Sequence, residues 1–178
     1  FGIPELARIA VEQGVENCRE KQPRAIHFVT HSLGGILVRY YLVNNKLAEL
    51  GRVVQLAPPN KGSVIAEMFR DEQWYRWLTG PAGQQLGTGA DGIPGVLGPV
   101  DYPTGVIAGN EHHPVDNWMA EILPGDSDGK VQVEHTRVEG MSDFIVLPHN
   151  HITIMNQEDV IRQTVIFLRN GSFNHSNH

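Results

Sequence analysis

The stretch Val29–Gly35, with the sequence VTHSLGG, places a serine between a strand-like run and a helix-like run. Upstream, Ala25–Val29 is rich in β-prone residues, and downstream the apolar residues recur at helical spacing, as Ile36, Leu37, Tyr40 and Tyr41. A serine at such a junction projects its hydroxyl out of a tight turn. The stretch therefore predicts a nucleophile elbow with Ser32 as the candidate nucleophile.

The residues two positions from Ser32 must be small so that the helix can pack close behind the strand. Gly34 meets this condition, and Thr30 stands where the usual pattern has glycine. A strand-turn-helix with an incidental serine is the alternative interpretation, because short motifs of this kind also occur by chance. The prediction therefore depends on finding partners for Ser32.

A nucleophilic serine needs an imidazole within hydrogen-bond reach and a carboxylate that orients it, in the chain order Ser, Asp or Glu, His on this type of scaffold. Two acids lie in the polar, glycine-rich segment Pro124–Val131, which follows the strand-like run Thr104–Ala108. They are Asp126 and Asp128, and spacing alone does not separate them. Either could instead belong to a solvated turn, where Asp and Gly are common.

Two histidines compete for the role of the base. His149 and His151 both follow the apolar run Phe144–Leu147, in a segment that leads into a terminal helix. Two further histidines lie close to the serine, His27 in the incoming strand and His31 directly beside it. Neither of these fits the expected chain order, so the base is predicted to be His149 or His151.

Together these motifs resemble the α/β-hydrolase superfamily, in particular a bacterial group of lipase-like and esterase-like serine hydrolases. The resemblance spans nearly the whole chain and is carried by Thr30–Arg39, Leu56–Ser63, Gly80–Leu86, Gly105–Gly109, Asp128–Val131, Glu139–Asp143 and Phe167–Phe173. It implies an α/β fold, a parallel sheet with helices on both faces. It also implies hydrolysis of small-molecule or lipid carboxylic esters without a cofactor.

The resemblance further implies a role for particular residues. In similar proteins the acid precedes Gly-x-Val, which falls on Asp128. The base is the histidine four residues before a methionine, which falls on His151 with Met155. The backbone amide of the residue after the nucleophile, here Leu33, donates to the oxyanion.

The amino end departs from the family pattern. Family members place two or more strands before the elbow, and a loop after one of them, often containing His-Gly, supplies a second oxyanion amide. Here 31 residues precede Ser32, with no His-Gly pair. They read as one amphipathic helix, with Ile3, Leu6, Ala7, Ala10, Val11, Gly14 and Cys18 at helical spacing, followed by the elbow strand.

Two expectations follow from this departure. The elbow strand should have an unpaired edge, which favours a homodimer through that edge. The oxyanion hole should be incomplete, so the alternative function is a non-catalytic or truncated α/β-hydrolase-like module.

Composition narrows the choice of partners and location. The net charge of -6 and the absence of basic runs argue against a nucleic-acid partner. The sequence has no run of 18 apolar residues, so no transmembrane segment is predicted. No signal peptide opens the chain, although a targeting segment could be missing. The only cysteine, Cys18, is predicted to pack on the apolar face of the first helix. It allows no internal disulfide, which favours a cytoplasmic location.

The sequence predicts one domain over residues 1–173, with 71–103 as a long insertion of the kind that forms lids, and a disordered tail over 174–178. No metal site is expected, since His112 and His113 lack the two-histidine helical spacing and Asp126 with Asp128 suit a turn. The last helix is predicted to begin after Asn156 as its cap. Its predicted buried residues are Val160, Ile161, Val165, Phe167 and Leu168.

Overall fold

One parallel sheet organises the chain in the computed structural model, which describes residues 1–69, 71–89, 92–112, 121 and 123–176. Its four strands are β1 (Ile26–His31), β2 (Leu50–Leu56), β3 (Thr104–Gly109) and β4 (Asp143–Leu147). They lie in the order β1-β2-β3-β4, and every neighbouring pair is parallel. The parallel sheet predicted from the sequence is confirmed, and the carboxyl ends of all four strands meet at one edge.

Helices occupy the segments before, between and after the strands. Helix α1 (Ile3–Leu6) continues through a π-helical segment (Ala7–Glu12) into α2 (Gln13–Arg19), and α3 (Leu33–Asn44) follows β1. Helices α4 (Val64–Phe69), α5 (Gln73–Gln84) and α6 (Ile93–Val96) lie between β2 and β3. Helix α7 (Val133–Thr136) precedes β4, and a 3₁₀ helix (Ile154–Asn156) leads into α8 (Glu158–Asn170).

The sheet is covered on both faces, as the alternation along β2 shows. Val53 and Val54 are both fully buried, although successive side chains of a strand point to opposite faces. Val53 packs with the amino-terminal helices and α3, whereas Val54 packs with β3, β4 and α8. The predicted helices on both faces are therefore confirmed, and burial on both faces is what stabilises a parallel sheet.

Helix α8 differs from its prediction at both its start and its face. Its N-cap is Gln157, because Asn156 belongs to the preceding 3₁₀ helix. Val160 and Phe167 are fully buried, and Leu168 packs beside them. The prediction was wrong for Ile161 and Val165, which are 51% and 40% exposed. The polar residues Gln163 and Thr164 take the inward face instead, at the three- and four-residue spacing from Val160.

Strand β1 forms one edge of the sheet, and nothing in the described part of the chain pairs with its outer side. A groove of about 450 Å³ runs beside it, between the amino-terminal helices, β1 and α3. Val29 lines this groove and is 51% exposed. Cys18 also lines it and is exposed, so the prediction that it packs through the apolar face of the first helix was wrong. Because Cys18 faces this groove, its side chain stays exposed instead of packing against the protein.

The insertion predicted over 71–103 is tied to the amino-terminal helices by a side chain near its middle. Helix α5 is broken at Gly80, whose φ of 61° is a conformation that favours glycine, directly before Pro81. The Gln85 side chain accepts a hydrogen bond of 2.6 Å from the backbone N–H of Ile3. Residues 90 and 91 lie outside the described residues. The function of the segment as a lid stays a prediction.

The predicted disordered tail is held in place over residues 174–176. The backbone of Asn174 exchanges two hydrogen bonds with the Gln163 side chain, of 2.8 and 2.9 Å. The His175 ring lies 3.0 Å from the Asp143 carboxylate. Polar side chains of α8 and β4 thus bind residues 174–176, for which the sequence predicted disorder. Residues 177 and 178 lie outside the described part of the chain.

A buried guanidinium joins the insertion to the core. Arg39 on α3 is 2% exposed, and its described hydrogen-bond partners are all carbonyl or amide oxygens. They include both oxygens of Asn60, at 3.1 Å, and the carbonyl of Gly98, at 2.7 Å. Burial lowers the pKa of Arg39, as expected for a cation removed from water. The Arg39 guanidinium therefore donates to buried oxygens of two separate segments, in place of the hydrogen bonds that water would give them.

Asn60 extends this network to the rest of the sheet. Its amide donates to the Gln55 side chain at 2.7 Å and to the Thr136 carbonyl at 2.8 Å. Gln55 in turn donates to the carbonyl of Gly35 in the first turn of α3. The network connects the helix after Ser32 with α7, which follows the predicted acid segment.

Replacing Arg39 by methionine should lower the free energy of unfolding by about 2–4 kcal/mol, because several buried acceptors lose their donor. Urea unfolding followed by circular dichroism measures the change. Arg19→Met is the control, since Arg19 pairs with Glu49 at an exposed site and its loss should change little. Equal losses in the two variants would contradict the structural role assigned to Arg39.

Candidate active site

Ser32 occupies the sharp turn between β1 and α3. Its backbone has φ 52° and ψ -125°, outside the helical and strand regions and costly for a residue other than glycine. The Ser32 N–H donates to the Leu56 carbonyl at 2.9 Å, and the Ser32 carbonyl accepts from Gly35 N–H at 3.0 Å. Both neighbours hold the strained turn, which lies at the carboxyl end of β1.

The turn accommodates Thr30 without crowding the facing residue of α3. A Cβ atom built on Gly34 would lie 3.5 Å from the Thr30 Cβ, an ordinary contact distance. A Cβ atom on Gly35 would be tighter, 3.1 Å from Pro58 and 3.3 Å from the Gln55 amide nitrogen. Gly35 therefore lets the first turn of α3 approach the end of β2 closely.

His151 lies between Ser32 and Asp128. Its Nε2 is 2.9 Å from Ser32 Oγ, and its Nδ1 is 2.6 Å from Asp128 Oδ2. His151 is 7% exposed and Asp128 is 1% exposed, so the contact between them is shielded from water. A carboxylate accepts hydrogen bonds, so Nδ1 of a neutral His151 carries the proton and Nε2 is free to accept from the serine hydroxyl. This tautomer suits proton transfer from Ser32.

The turn around Asp128 aims one carboxylate oxygen at His151. The other oxygen, Oδ1, accepts from the backbone N–H groups of Val131 at 2.7 Å and Lys130 at 3.0 Å. Gly129 adopts a φ of 94°, which closes this turn. The Asp128 N–H also donates to the Val131 carbonyl. Because Oδ1 is held by the backbone, Oδ2 remains for the imidazole.

The competing candidates lie elsewhere. Asp126 is exposed, and its carbonyl accepts from the N–H of Val133. His149 binds the carboxylate of Asp159 at the start of α8, with Nε2 2.8 and 2.9 Å from the two oxygens. Burial opposes ionisation of Asp159, but the hydrogen bond and charge of His149 outweigh it, so the Asp159 pKa lies below its usual value. Of the two acids and two bases considered, the structure brings Asp128 and His151 to Ser32.

Leu33 is the first residue of α3. The first four N–H groups of a helix have no partner within the helix. The Leu33 amide thus lies directly after Ser32, where the sequence predicts an oxyanion donor. The sequence predicts no metal site at His112 and His113. Of these two residues, His113 lies outside the described part of the chain.

Two neighbours of the site were not assigned a function from the sequence. A Cβ atom on Gly109, at the end of β3, would overlap the His149 carbonyl oxygen and lie 3.0 Å from the Asp128 Cβ. Gly109 therefore allows the loops that carry Asp128 and His149 to meet. The sequence signal that could have indicated this role is a glycine at the end of a strand. His31, set aside for its place in the chain order, contacts His151 through its ring and through Nε2.

Comparison with protein-family models and with curated proteins gives no match. Solved structures do match. The mature lipase BlEst2 of Bacillus licheniformis is 18% identical, with a TM-score of 0.74 over 94% of this chain and 74% of that one. Phospholipase PlaB of Legionella pneumophila is 19% identical, with a TM-score of 0.67 over 95% and 48%. The metagenomic carboxyl esterase MGS0156 is 20% identical, with a TM-score of 0.68 over 86% and 52%.

These likenesses concern the fold, because identities near one fifth leave the side chains of a site free to differ. The chain spans about half the length of PlaB and of the metagenomic esterase. Among the described helices, none is long and apolar enough to cross a membrane.

Proposed function

We propose, starting from the α/β-hydrolase fold that this chain shares with these bacterial lipases and esterases, that it is a serine hydrolase of carboxylic esters. The observation that carries the proposal is the continuous hydrogen-bonded series Ser32, His151, Asp128, with distances of 2.9 and 2.6 Å. A serine, an imidazole and a buried carboxylate in this order are what acyl transfer requires.

In the acylation step, Ser32 Oγ attacks the ester carbonyl carbon while His151 Nε2 accepts the hydroxyl proton. The carbonyl oxygen becomes an oxyanion, to which the Leu33 N–H donates. The tetrahedral intermediate collapses, the bond to the alcohol oxygen breaks, and His151 returns the proton to the leaving alcohol. Asp128 accepts from Nδ1 throughout and stabilises the imidazolium.

In the deacylation step, water replaces the alcohol. His151 Nε2 takes a proton from the water as its oxygen attacks the acyl carbon, and the same proton returns to Ser32 Oγ when the acid leaves. The cycle needs only the three side chains and the Leu33 amide, without a cofactor. The substrate class is a small-molecule or lipid ester, in keeping with the lipase, phospholipase and carboxyl esterase to which the fold is similar.

Labelling with a fluorophosphonate probe tests the proposal. Ser32 Oγ should attack the phosphorus, fluoride should leave, and the hydroxyl proton should pass to His151. We expect labelling of the wild type, none of Ser32→Ala, and full labelling of the control Ser176→Ala, which changes an exposed serine of the tail. A folded wild type without label would instead support the non-catalytic α/β-hydrolase-like module.

We also propose that the chain forms a homodimer through the outer edge of β1. Within the described residues this edge is unpaired, and an unpaired apolar edge favours pairing with another strand. The half-exposed Val29 and the apolar groove beside it would be covered by the second copy.

Sedimentation velocity at micromolar protein should give a dimer for the wild type and a monomer for Val29→Lys, because a charge on the edge blocks pairing. A wild-type monomer at these concentrations would exclude the dimer. The cytoplasmic location stays a prediction.

A further inference from the structure

His31, the last residue of β1, contacts the backbone of the proposed base. Its Nε2 lies 2.9 Å from the carbonyl oxygen of His151. The two rings are tilted by 47°, with centroids 4.9 Å apart. This contact joins residues on either side of the proposed proton transfer, since His31 directly precedes Ser32.

The chemistry of the contact determines which nitrogen of His31 carries hydrogen. A carbonyl oxygen can only accept, so the His31 Nε2 must donate. The backbone of His151 is then held on both sides, since its N–H donates to the Asp128 carbonyl at 3.0 Å. Together with the bond from Nδ1 to Asp128, these contacts leave the imidazole little freedom to turn away from Ser32.

We propose that His31 is a positioning residue, which holds the main chain of His151 so that its Nε2 stays directed at Ser32 Oγ. The inference rests on the proposed ester hydrolysis and deepens it. Such a bond matters here because His151 lies in a loop after β4, and loops move more than the strands they follow. Geometry held in advance of the reaction lowers its barrier.

The charge state of His31 also suits a residue that lies beside the proposed base. Burial lowers the His31 pKa, and a positive charge on His151 lowers it further, while the bond to the His151 carbonyl and the Asp128 carboxylate oppose these effects. Lys130 also disfavours the charged form. His31 is therefore neutral at neutral pH, which avoids a second positive charge beside the imidazolium that forms on His151 during the reaction.

Two variants separate the donor from the ring. His31→Phe keeps an aromatic ring but cannot donate, whereas the amide N–H of His31→Gln can take the place of Nε2. We expect kcat for a p-nitrophenyl ester to fall about five- to ten-fold in His31→Phe, with KM nearly unchanged, as for the loss of one hydrogen bond. In His31→Gln, kcat should stay within about two-fold of the wild type. Equal kcat values in the wild type and His31→Phe would overturn the inference.

Nuclear magnetic resonance of ¹⁵N-histidine-labelled protein tests the positioning without any catalysis. We expect the Nε2–H tautomer for His31 and a sharp Nδ1–H proton signal for His151 in the wild type, and the same His151 signal in His31→Gln. The His151 signal should broaden by exchange in His31→Phe. If the wild type hydrolyses no ester but gives these spectra, the proposed function fails and the positioning stands. An Nδ1–H tautomer of His31 in the wild type would overturn the positioning, even if His31→Phe does not fold.

Discussion

Replacing Ser32 by alanine should lower kcat for a short-chain p-nitrophenyl ester by about 10⁶-fold, the loss typical of a triad without its nucleophile. The variant removes the only atom that can form the acyl intermediate in the proposed mechanism. His151→Ala should lose nearly as much, because a serine without a base is a weak nucleophile. Steady-state kinetics with purified wild type, each single variant and the double variant measure these effects.

The double variant provides the internal check. Residues that act as one unit are strongly non-additive, so Ser32→Ala combined with His151→Ala should be no slower than Ser32→Ala alone. His149→Gln is the matched control for the base, since His149 binds Asp159 rather than Ser32, and its kcat should stay near the wild-type value. Hydrolysis that survives Ser32→Ala would show that another group performs the reaction.

Replacing Asp128 by asparagine should lower kcat by about 10⁴-fold, the loss typical of a triad whose histidine adopts the wrong tautomer. The introduced amide would keep its oxygen toward the N–H groups of Lys130 and Val131, which hold Oδ1 in the wild type. Its NH₂ group would then face His151 Nδ1 and donate to it. The proton of His151 would move to Nε2, where it blocks acceptance from Ser32.

Asp126→Asn serves as the control, because Asp126 is an exposed acid two residues away in the same segment. Its kcat should equal that of the wild type. The two variants make the same chemical change, and circular dichroism should show the same fold for both. A larger loss in Asp126→Asn than in Asp128→Asn would contradict the assignment of the acid.

The elements of the sheet could be predicted because their signals are local. The β-prone run before Ser32 and the helical spacing after it correspond to β1 and α3. A strand depends largely on the residues within it and on the turn chemistry at its ends. Errors arose where burial depends on distant segments, as for Cys18 beside a groove and for Ile161 on the outer side of α8.

The contacts of His31 could not be predicted in the same way. The sequence places His31 beside Ser32, and chain order gave no reason to connect it with a histidine 120 positions away. The contact exists because β1 ends at the same sheet edge as β4, from which the His151 loop emerges. The role of Gly109 likewise depends on the tertiary structure, because its missing side chain leaves the space in which two loops meet.

The sequence by itself determined the alternating strands and helices, the parallel sheet and Ser32 as the candidate nucleophile. Spacing left Asp126 and Asp128 equivalent, as it did the two histidines, because a separation along the chain carries no direction in space. Only the tertiary structure brought one of each pair to the serine. The parallel register aligns strand ends far apart in sequence, and the backbone turn around Asp128 directs a single carboxylate oxygen to His151.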